Sequence, residues 1–148
     1  MTSGPVGRIN GPRVILGGLV AGLVANVIDF ATGMLFMSED MALNAQRLGI
    51  DPAIGAATST MVVWVLIDFI YGLLIVFTYA AMRPRFGPGP RTAIIAGLTL
   101  FATVTIFFMG LLALGFFMQA GFLKAAVFTL ISNVLASLAG CAIYRESV

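Results

Sequence analysis

Two aspartates stand inside long apolar segments, where an acidic side chain can do chemistry. Asp68 lies in the stretch WVLIDFIYG, and Asp29 lies in a similar apolar run nearer the start of the chain. A carboxyl group in such a run can bind a proton or a cation, or it can hydrogen-bond to a neighbouring helix. Which of these applies depends on the other polar groups that reach it.

Other polar residues recur near the middle of the apolar segments. Their spacing in steps of three and four places them on single helical stripes, which the simplest bundle turns inward. We therefore predict a polar layer at one depth, in which the two carboxyl groups approach each other. The members of this predicted polar layer are Asn26, Asp29, Asp68, Thr103 and Asn133.

The energetics of this layer restrict its chemistry. A charged aspartate at the centre of a bilayer costs about 3 kcal/mol on insertion scales. No lysine or arginine lies beside either aspartate, and two ionised carboxylates would repel each other. We expect at least one of the two to carry a proton at pH 7. Three interpretations stay open, namely interhelical hydrogen bonding, a proton or cation site, and contact with a partner subunit or ligand.

Other kinds of site find little support in the residue types. The chain has no histidine and one cysteine, Cys141, which excludes histidine-ligated haem and an internal disulfide. No nucleophile stands beside a general base, and the acids Glu39, Asp40 and Asp51 lack the calcium-loop pattern. We therefore predict a protein that is not an enzyme and that needs no metal or cofactor.

The composition indicates what surrounds these residues. Of 148 residues, 60% are hydrophobic and only 9% are charged, and the mean hydropathy is +1.07. So few charges cannot cover a surface in water, so lipid must be the main solvent. Four runs are long enough to cross a bilayer as helices. We predict an all-α, four-helix membrane bundle in one domain, with spans at about 14–37, 58–82, 92–118 and 122–144.

The basic residues predict the orientation. Six of the eight fall on one side of the predicted spans, and Arg47 and Lys124 fall on the other. Basic loops face the cytoplasm, so we expect both termini to be cytoplasmic, in a membrane such as the bacterial inner membrane. The cytoplasmic set is Arg8, Arg13, Arg83, Arg85, Arg91 and Arg145.

The connections between the spans differ in kind. Segment 83–91, RPRFGPGPR, is rich in Pro and Gly and predicts a tight, non-helical hairpin. Segment 38–57 predicts a short amphipathic helix on the outer surface, with Ser38 as its N-cap and Gly49 at its end. Asp51 and Pro52 then predict the start of another helix.

Small residues in the spans predict close helix contacts. The first span carries a GxxxG motif, which permits two helix backbones to approach. The predicted packing positions are Gly18, Gly22, Gly33, Gly72, Ser137 and Gly140.

A short pattern recurs at the start of the first and third spans. GPRVILGGLVAGL begins at Gly11, and GPRTAIIAGLTL begins at Gly89. The pattern predicts two parallel helical-hairpin repeats, or it is only a favourable cytoplasmic start for an apolar helix. With spans 1 and 2, the RPRFGPGPR segment and the start of span 3 resemble uncharacterised four-span bacterial membrane proteins. That resemblance implies four helices and no assigned activity.

Abundant packing residues without a catalytic motif favour a non-catalytic membrane subunit. We expect it to pack into a homo-oligomer or a larger membrane complex, with the bilayer and partner subunits as its contacts. The alternative is a small proton- or cation-coupled transporter or channel that uses Asp29 and Asp68. A bound lipid, quinone or pigment stays an open possibility, whereas nucleic acid is excluded because no basic run is present.

Overall fold

The protein is an all-helical bundle. The computed structural model describes residues 8–146. Four of its helical stretches are long and apolar enough to cross a membrane, so the predicted four-helix membrane bundle is confirmed. The helices are α1 (Gly11–Thr32), α2 (Ser38–Leu48), α3 (Pro52–Ala56), α4 (Thr58–Phe86), α5 (Pro90–Ala113) and α6 (Gln119–Ile143), and a π-helical segment, Gly33–Met37, joins α1 to α2.

The four long helices form a closed ring. Helix α1 packs against α4 and α6, and α5 packs against the same two helices from the other side. Helices α1 and α5 therefore lie on a diagonal, and α4 also touches α6 across the centre. Side chains of α1 therefore meet those of α4 and α6 on one side of this central contact, and side chains of α5 meet them on the other side.

Local sequence explains where these helices begin and end. Asn10 caps α1, since its Oδ1 accepts a hydrogen bond from Arg13 N at 3.2 Å. Helix α4 continues through Pro84 to Phe86, so the prediction of a non-helical 83–91 segment was wrong. A proline close to the end of a helix disturbs few hydrogen bonds. The chain turns only at Gly87, whose φ of 79° suits glycine.

The third span is shorter than predicted. Helix α5 ends at Ala113 instead of Met118, because Gly115 takes a φ of 83° and turns the chain. The carbonyls of the last turn are satisfied there, since Phe116 N donates to Leu111 O at 3.0 Å. Helix α6 accordingly begins at Gln119, three residues earlier than predicted.

Helix α2 is present, but it starts differently from the prediction. Ser38 has helical backbone angles (φ −57°, ψ −42°), and helix runs without a break from Gly11 to Leu48. A helix of that length measures about 57 Å, nearly twice the hydrocarbon thickness of about 30 Å. Gly49 ends α2 with a φ of 67°, as predicted, and Asp51 caps α3 through Ala53 N at 2.9 Å.

Polar contacts hold α2 against α6 and against the connection between α5 and α6. Lys124 Nζ on α6 pairs with Asp40 Oδ2 at 2.5 Å and donates to Phe36 O at 3.1 Å. Asn44 Nδ2 donates to Phe116 O at 3.1 Å, in the connection between α5 and α6. These bonds hold the start and the middle of α2 against the turn that follows α5.

Close packing is confined to one half of the bundle. We call the end that carries segments 8–13, 83–91 and 144–146 the basic end, and the opposite end the α2 end. Buried residues lie between Val14 and Ala25 in α1, in the first half of α5, and in the second half of α4 and α6. The basic half is therefore a compact core, and the half toward the α2 end has broad exposed apolar surfaces.

Glycines set the approach of the helices in the basic half. A Cβ added to Gly72 would lie 2.5 Å from Gly22 N and would also collide with Gly18 O. A Cβ on Gly140 would lie 2.7 Å from the Cβ of Ala21. No side chain fits at these positions, so α1 meets α4 and α6 backbone to backbone.

One predicted packing position needs revision, and one close contact was not predicted. Gly33 was predicted to be a helix contact, but a Cβ built there meets nothing within 4 Å. It stands at the start of the π-helical segment, beyond the closely packed region, so that assignment is wrong. Gly97, which the sequence analysis did not single out, packs against Ser137, and an added Cβ would lie 2.8 Å from the Ser137 Oγ.

Equivalent contacts recur in the two hairpins, α1–α4 and α5–α6. Gly18 packs against Leu73 and Gly72 in the first hairpin, and Gly97 packs against Ser137 in the second. The facing helices carry the same spacing of four, four and three residues, which accounts for these equivalent contacts. The two sets are Asp68, Gly72, Val76 and Tyr79 on α4, and Asn133, Ser137, Cys141 and Tyr144 on α6.

Candidate functional site

The two aspartates of the apolar segments come together near the middle of the bundle. Asp29 lies 16 residues after Arg13, and Asp68 lies 15 residues before Arg83. At 1.5 Å per residue, both are about 22–24 Å from the arginines at the basic end. The two carboxyl groups lie within electrostatic range of each other. The close α1–α4 contact sets this arrangement.

Helix α6 completes the arrangement from the other side. The Ser132 hydroxyl lies beside the Asp29 carboxyl group, and the Asn133 side chain lies beside the Tyr71 hydroxyl. Tyr71 is also within electrostatic range of Asp29. We call this group of five side chains, from α1, α4 and α6, the carboxyl cluster: Asp29, Asp68, Tyr71, Ser132 and Asn133.

The members of the carboxyl cluster range from fully buried to exposed. Ser132 and Asn133 are only 1% and 5% exposed. Asp68 and Tyr71 are half-buried, and Asp29 is exposed on the surface of the bundle. A polar path therefore leads from the membrane-facing surface of α1 to the centre of the bundle.

Several polar side-chain atoms in and near the cluster already make hydrogen bonds within the protein. Asn133 Nδ2 donates to Thr129 O at 3.0 Å within its own helix. Asn26 Nδ2 donates to Gly22 O at 2.9 Å and to Val65 O at 3.3 Å, so it links α1 to α4. Two atoms of the cluster, Tyr71 Oη and Asn133 Oδ1, are buried and have no partner in hydrogen-bond geometry. The Tyr71 hydroxyl nevertheless lies beside the Asn133 side chain and interacts with it. Such groups are uncommon, and each requires an explanation.

The predicted polar layer is therefore partly assembled. Asp29, Asp68 and Asn133 come together, and Asn26 joins α1 to α4 close by. Thr103 does not join them: it lies exposed on α5, and its Oγ1 donates to Thr99 O at 2.9 Å. That assignment is wrong because α5 is diagonal to α1, and the hydroxyl can satisfy itself within its own helix.

Tyr71 and Ser132 belong to the site but were not among the residues predicted for it. Tyr71 follows Asp68 by three residues, a spacing that puts both on one helical face. That signal was present, but an aromatic residue in an apolar span also fits a packing role. Ser132 also stands at the middle of its span, but only the rotation of α6 turns its hydroxyl toward Asp29.

A second polar group lies at the basic end. The Tyr144 Oη accepts from Asn10 N at 3.2 Å, and the Tyr79 Oη accepts from Gly89 N at 3.1 Å. The two rings meet edge to face at 5.9 Å. These bonds tie the end of each hairpin to the start of the other, which places both described chain ends on the same side.

Arg83 packs against the two aromatic rings of that group. Its guanidinium carbon lies 5.7 Å from the Tyr79 ring centroid and 5.3 Å from that of Tyr144. Its Nη1 lies 3.7 Å from Glu146 Oε1. Cation–π contacts with two aromatic rings and the nearby carboxylate stabilise the charge at this site. The group stabilises the fold, since every member contacts another part of the same chain.

The chemistry open to the carboxyl cluster is narrow. It offers carboxyl, amide and hydroxyl oxygens, and no basic side chain lies in it. Among residues 8–146, no group of three or more acidic, cysteine or histidine side chains could hold a metal ion. The cluster can therefore hydrogen-bond, hold protons or attract a monovalent cation.

Comparisons with known proteins add no constraint. No protein family, curated protein or solved structure matches this chain. The resemblance to four-span bacterial membrane proteins stays a prediction.

Proposed function

We propose that the chain is a non-catalytic integral membrane subunit that works within a homo-oligomer or a larger membrane complex. The observation that supports this most is the exposed position of Asp29 at membrane depth. A charged carboxyl group facing hydrocarbon costs about 3 kcal/mol on insertion scales. Protein that covers Asp29 and supplies hydrogen-bond partners would offset that cost.

The uneven packing supports the same proposal. The α2-end half carries large exposed side chains, such as Phe30 at 64% and Ile106 at 68%. In lipid, exposed apolar residues by themselves need no protein to cover them. The exposed carboxyl group of Asp29, and not the apolar area, therefore indicates a partner. Asp29 lies beyond the closely packed part of α1, where the helices pack loosely and a helix of another chain can pack against them.

The native mass tests this proposal. The protein would be extracted from its own membranes in gentle detergent, and its mass compared with 15.6 kDa for one chain. We expect an assembly of several chains or of different subunits. Asp29→Leu should shift the equilibrium toward the single chain because an apolar residue needs no cover. Glu39→Leu, an exposed acid on α2, is the matched control.

A chain that is monomeric at every protein and detergent concentration would contradict the proposal. So would an assembly that Asp29→Leu and Glu39→Leu affect equally, because the surface near Asp29 would then not be the interface. Identification of every co-migrating protein, lipid and pigment distinguishes a homo-oligomer from a larger complex.

The orientation is part of the proposal. The basic end faces the cytoplasm and α2 faces outward in a membrane such as the bacterial inner membrane, because arginines cluster at that end. Thiol labelling of intact cells can test this, since the native Cys141 is 3% exposed. An impermeant reagent should label a cysteine at Gln46 and not one at Arg85. The reverse pattern would overturn the orientation.

A second function, proton or cation coupling, is favoured by one specific observation. Asp29 and Asp68 share a site with open oxygen atoms and without a basic partner. A small transporter or channel needs such a group at membrane depth. In this second function Asp29 and Asp68 would load and release the coupled ion.

A further inference from the structure

Three side chains between the π-helical segment and the middle of α2 face the α5–α6 side of the bundle. The Phe36 ring stacks on the Phe128 ring of α6, with centroids 5.0 Å apart. Asp40 Oδ2 pairs with Lys124 Nζ, which also donates to Phe36 O at 3.1 Å. Asn44 bonds to the connection between α5 and α6. A spacing of four residues puts Phe36, Asp40 and Asn44 on one helical face.

An uninterrupted α-helix would not turn that face toward α6. Ala21 marks the side of α1 that packs on α6, because a Cβ added to Gly140 would lie 2.7 Å from the Ala21 Cβ. Asp40 follows Ala21 by 19 residues, which in an α-helix is about five turns and a further 100°. Regular helix from Ala21 onward would therefore point Asp40 away from Lys124.

The π-helical segment Gly33–Met37 corrects this rotation. Its hydrogen bonds run between residues i and i+5, so its turn contains one more residue than an α-helical turn. One residue corresponds to about 100° of α-helix, which is the rotation that Asp40 requires. Met37, with φ −111° and ψ −8°, marks where the segment joins α2. The π-helical segment therefore sets the rotation at which α2 meets α6.

The acid next to Asp40 suits the other rotation. Glu39 follows Ala21 by 18 residues, which is about five whole α-helical turns. Conversion of the π-helical segment to α-helix would turn α2 by about 100° and would put Glu39 opposite Lys124. In the structure Glu39 instead lines an open groove on another face of α2. The two consecutive acids thus offer Lys124 one partner at each rotation.

Few contacts hold α2 at its present rotation. No residue of the π-helical segment or of α2 is buried. The side chain of Lys124 is 47% exposed and that of Asp40 is 22% exposed, and such ion pairs contribute little to stability. Segments with so little burial rearrange at a low cost in free energy. Gly121 leaves space on α6 for that movement, since a Cβ added there would lie 3.4 Å from the Asp40 Cβ.

We propose that the π-helical segment is a rotary switch that gives α2 two registers. In the π register, which the structure shows, Lys124 pairs with Asp40. In the α register the segment is α-helical, and Lys124 pairs with Glu39. The change turns Asp40 and Asn44 away from α6 and turns Glu39 and Leu43 toward it, so α2 presents a different outer face. This inference is independent of both functions proposed above.

Disulfide trapping in the full chain, reconstituted in proteoliposomes, distinguishes the registers. Asp40→Cys with Gly121→Cys reports the π register, because the two Cβ atoms are close to disulfide distance. Glu39→Gln is added to this pair to remove the competing acid. Glu39→Cys with Gly121→Cys reports the α register. The native Cys141 is buried near the opposite end of α6 and cannot reach these positions. Mass spectrometry of proteolytic fragments measures the cross-linked fraction over time.

We expect both cysteine pairs to form the disulfide. The less favourable of two states is typically populated at about 0.1–10%, so the Glu39 pair should react at least about tenfold more slowly than the Asp40 pair. Adding Asp40→Asn or Lys124→Gln to the Glu39 pair should raise its rate by about threefold, the effect of losing one exposed ion pair.

Deletion of one residue tests the role of the π-helical segment. Leu35 lies in that segment and is 72% exposed. Without it, a regular α-helix still places Asp40 opposite Lys124, since the additional residue is gone. The Asp40 pair should then react as before, and the Glu39 pair should no longer react.

Met41→Cys with Gly121→Cys is the matched control, because Met41 stands at least about 100° from the face toward α6 in both registers. Reaction of the Met41 pair as fast as the Glu39 pair would show that α2 detaches instead of rotating. A Glu39 pair that stays unreactive even with Asp40→Asn would show a single register. A Glu39 pair that still reacts after deletion of Leu35 would show that the π-helical segment is not the switch. If the deletion variant does not fold, the effect of Asp40→Asn on the Glu39 pair decides.

Discussion

The two halves of the bundle differ in how closely their helices pack. In the basic half, glycines let backbones touch, and the polar side chains there, such as Tyr144 and Ser137, have hydrogen-bond partners. The half toward the α2 end has broad exposed apolar surfaces instead. Buried atoms without a hydrogen-bond partner occur both in the carboxyl cluster, at Tyr71 Oη and Asn133 Oδ1, and at the basic end, at Arg83 Nε and Nη1. The basic half therefore gains stability from close packing within one chain, and the half toward the α2 end leaves its apolar surfaces and Asp29 available to lipid or to other protein.

This difference separates fold from function. A residue in the basic half contributes through packing, so its replacement should change the free energy of unfolding. Asp29 is exposed and contributes little to packing, so its replacement should change assembly at nearly constant stability. Variants chosen in pairs, one from each half, can break or sharpen this distinction.

The largest expected effect is that of Gly72→Ala. Its Cβ would lie 2.5 Å from Gly22 N, and helix backbone cannot yield locally, so α1 and α4 must separate. Overpacking typically costs about 1–3 kcal/mol, and more when backbones clash. Equilibrium unfolding in mixed detergent micelles, followed by circular dichroism, measures the change in the free energy of unfolding.

Gly33→Ala is the matched control for that variant. The same added methyl group at Gly33 meets nothing within 4 Å, and alanine is a better helix former than glycine by about 1 kcal/mol. We expect unchanged or slightly higher stability. Equal destabilisation by the two variants would mean that the α2-end half is as closely packed as the basic half.

A smaller effect is expected for Tyr144→Phe. The change removes the hydroxyl that accepts from Asn10 N at 3.2 Å and keeps the ring beside Arg83. Loss of one such bond costs about 1 kcal/mol. The same unfolding measurement applies.

Tyr71→Phe should have the smallest effect on stability. Its hydroxyl has no hydrogen-bond partner, and removing an unsatisfied buried group is nearly neutral or stabilising. A loss as large as that of Tyr144→Phe would show that Tyr71 is bonded within the folded chain. Asn133, whose side chain lies beside the Tyr71 hydroxyl, would then be its partner.

Much of the bundle could be predicted because membrane insertion depends on local composition. The four spans follow from runs of apolar residues, and the contact at Gly18, Gly22 and Gly72 follows from small residues at helical spacing. Helix ends were less predictable. Pro84 suggested an early stop, yet the end of a helix tolerates proline, and α5 ended early because Gly115 adopts a positive φ.

The residues of the candidate site were likewise only partly predictable from the sequence. Asp29 and Asp68 could be paired from depth and spacing alone, because both positions are counted from arginines at one end. Thr103 was placed with them on depth, and Tyr71 was left out on residue type. Both errors come from helix order and rotation, which depth does not determine.

The sequence by itself determined that the chain crosses a membrane four times and that two carboxyl groups lie at one depth, because transfer into hydrocarbon depends on the residues of each span in turn. Only the tertiary structure decided that α5 stands diagonal to α1, that Tyr71 and Ser132 face the aspartates, and that Asp29 reaches the surface. Those features depend on how four similar apolar helices rotate and pack, and contacts between residues far apart in the chain settle that choice.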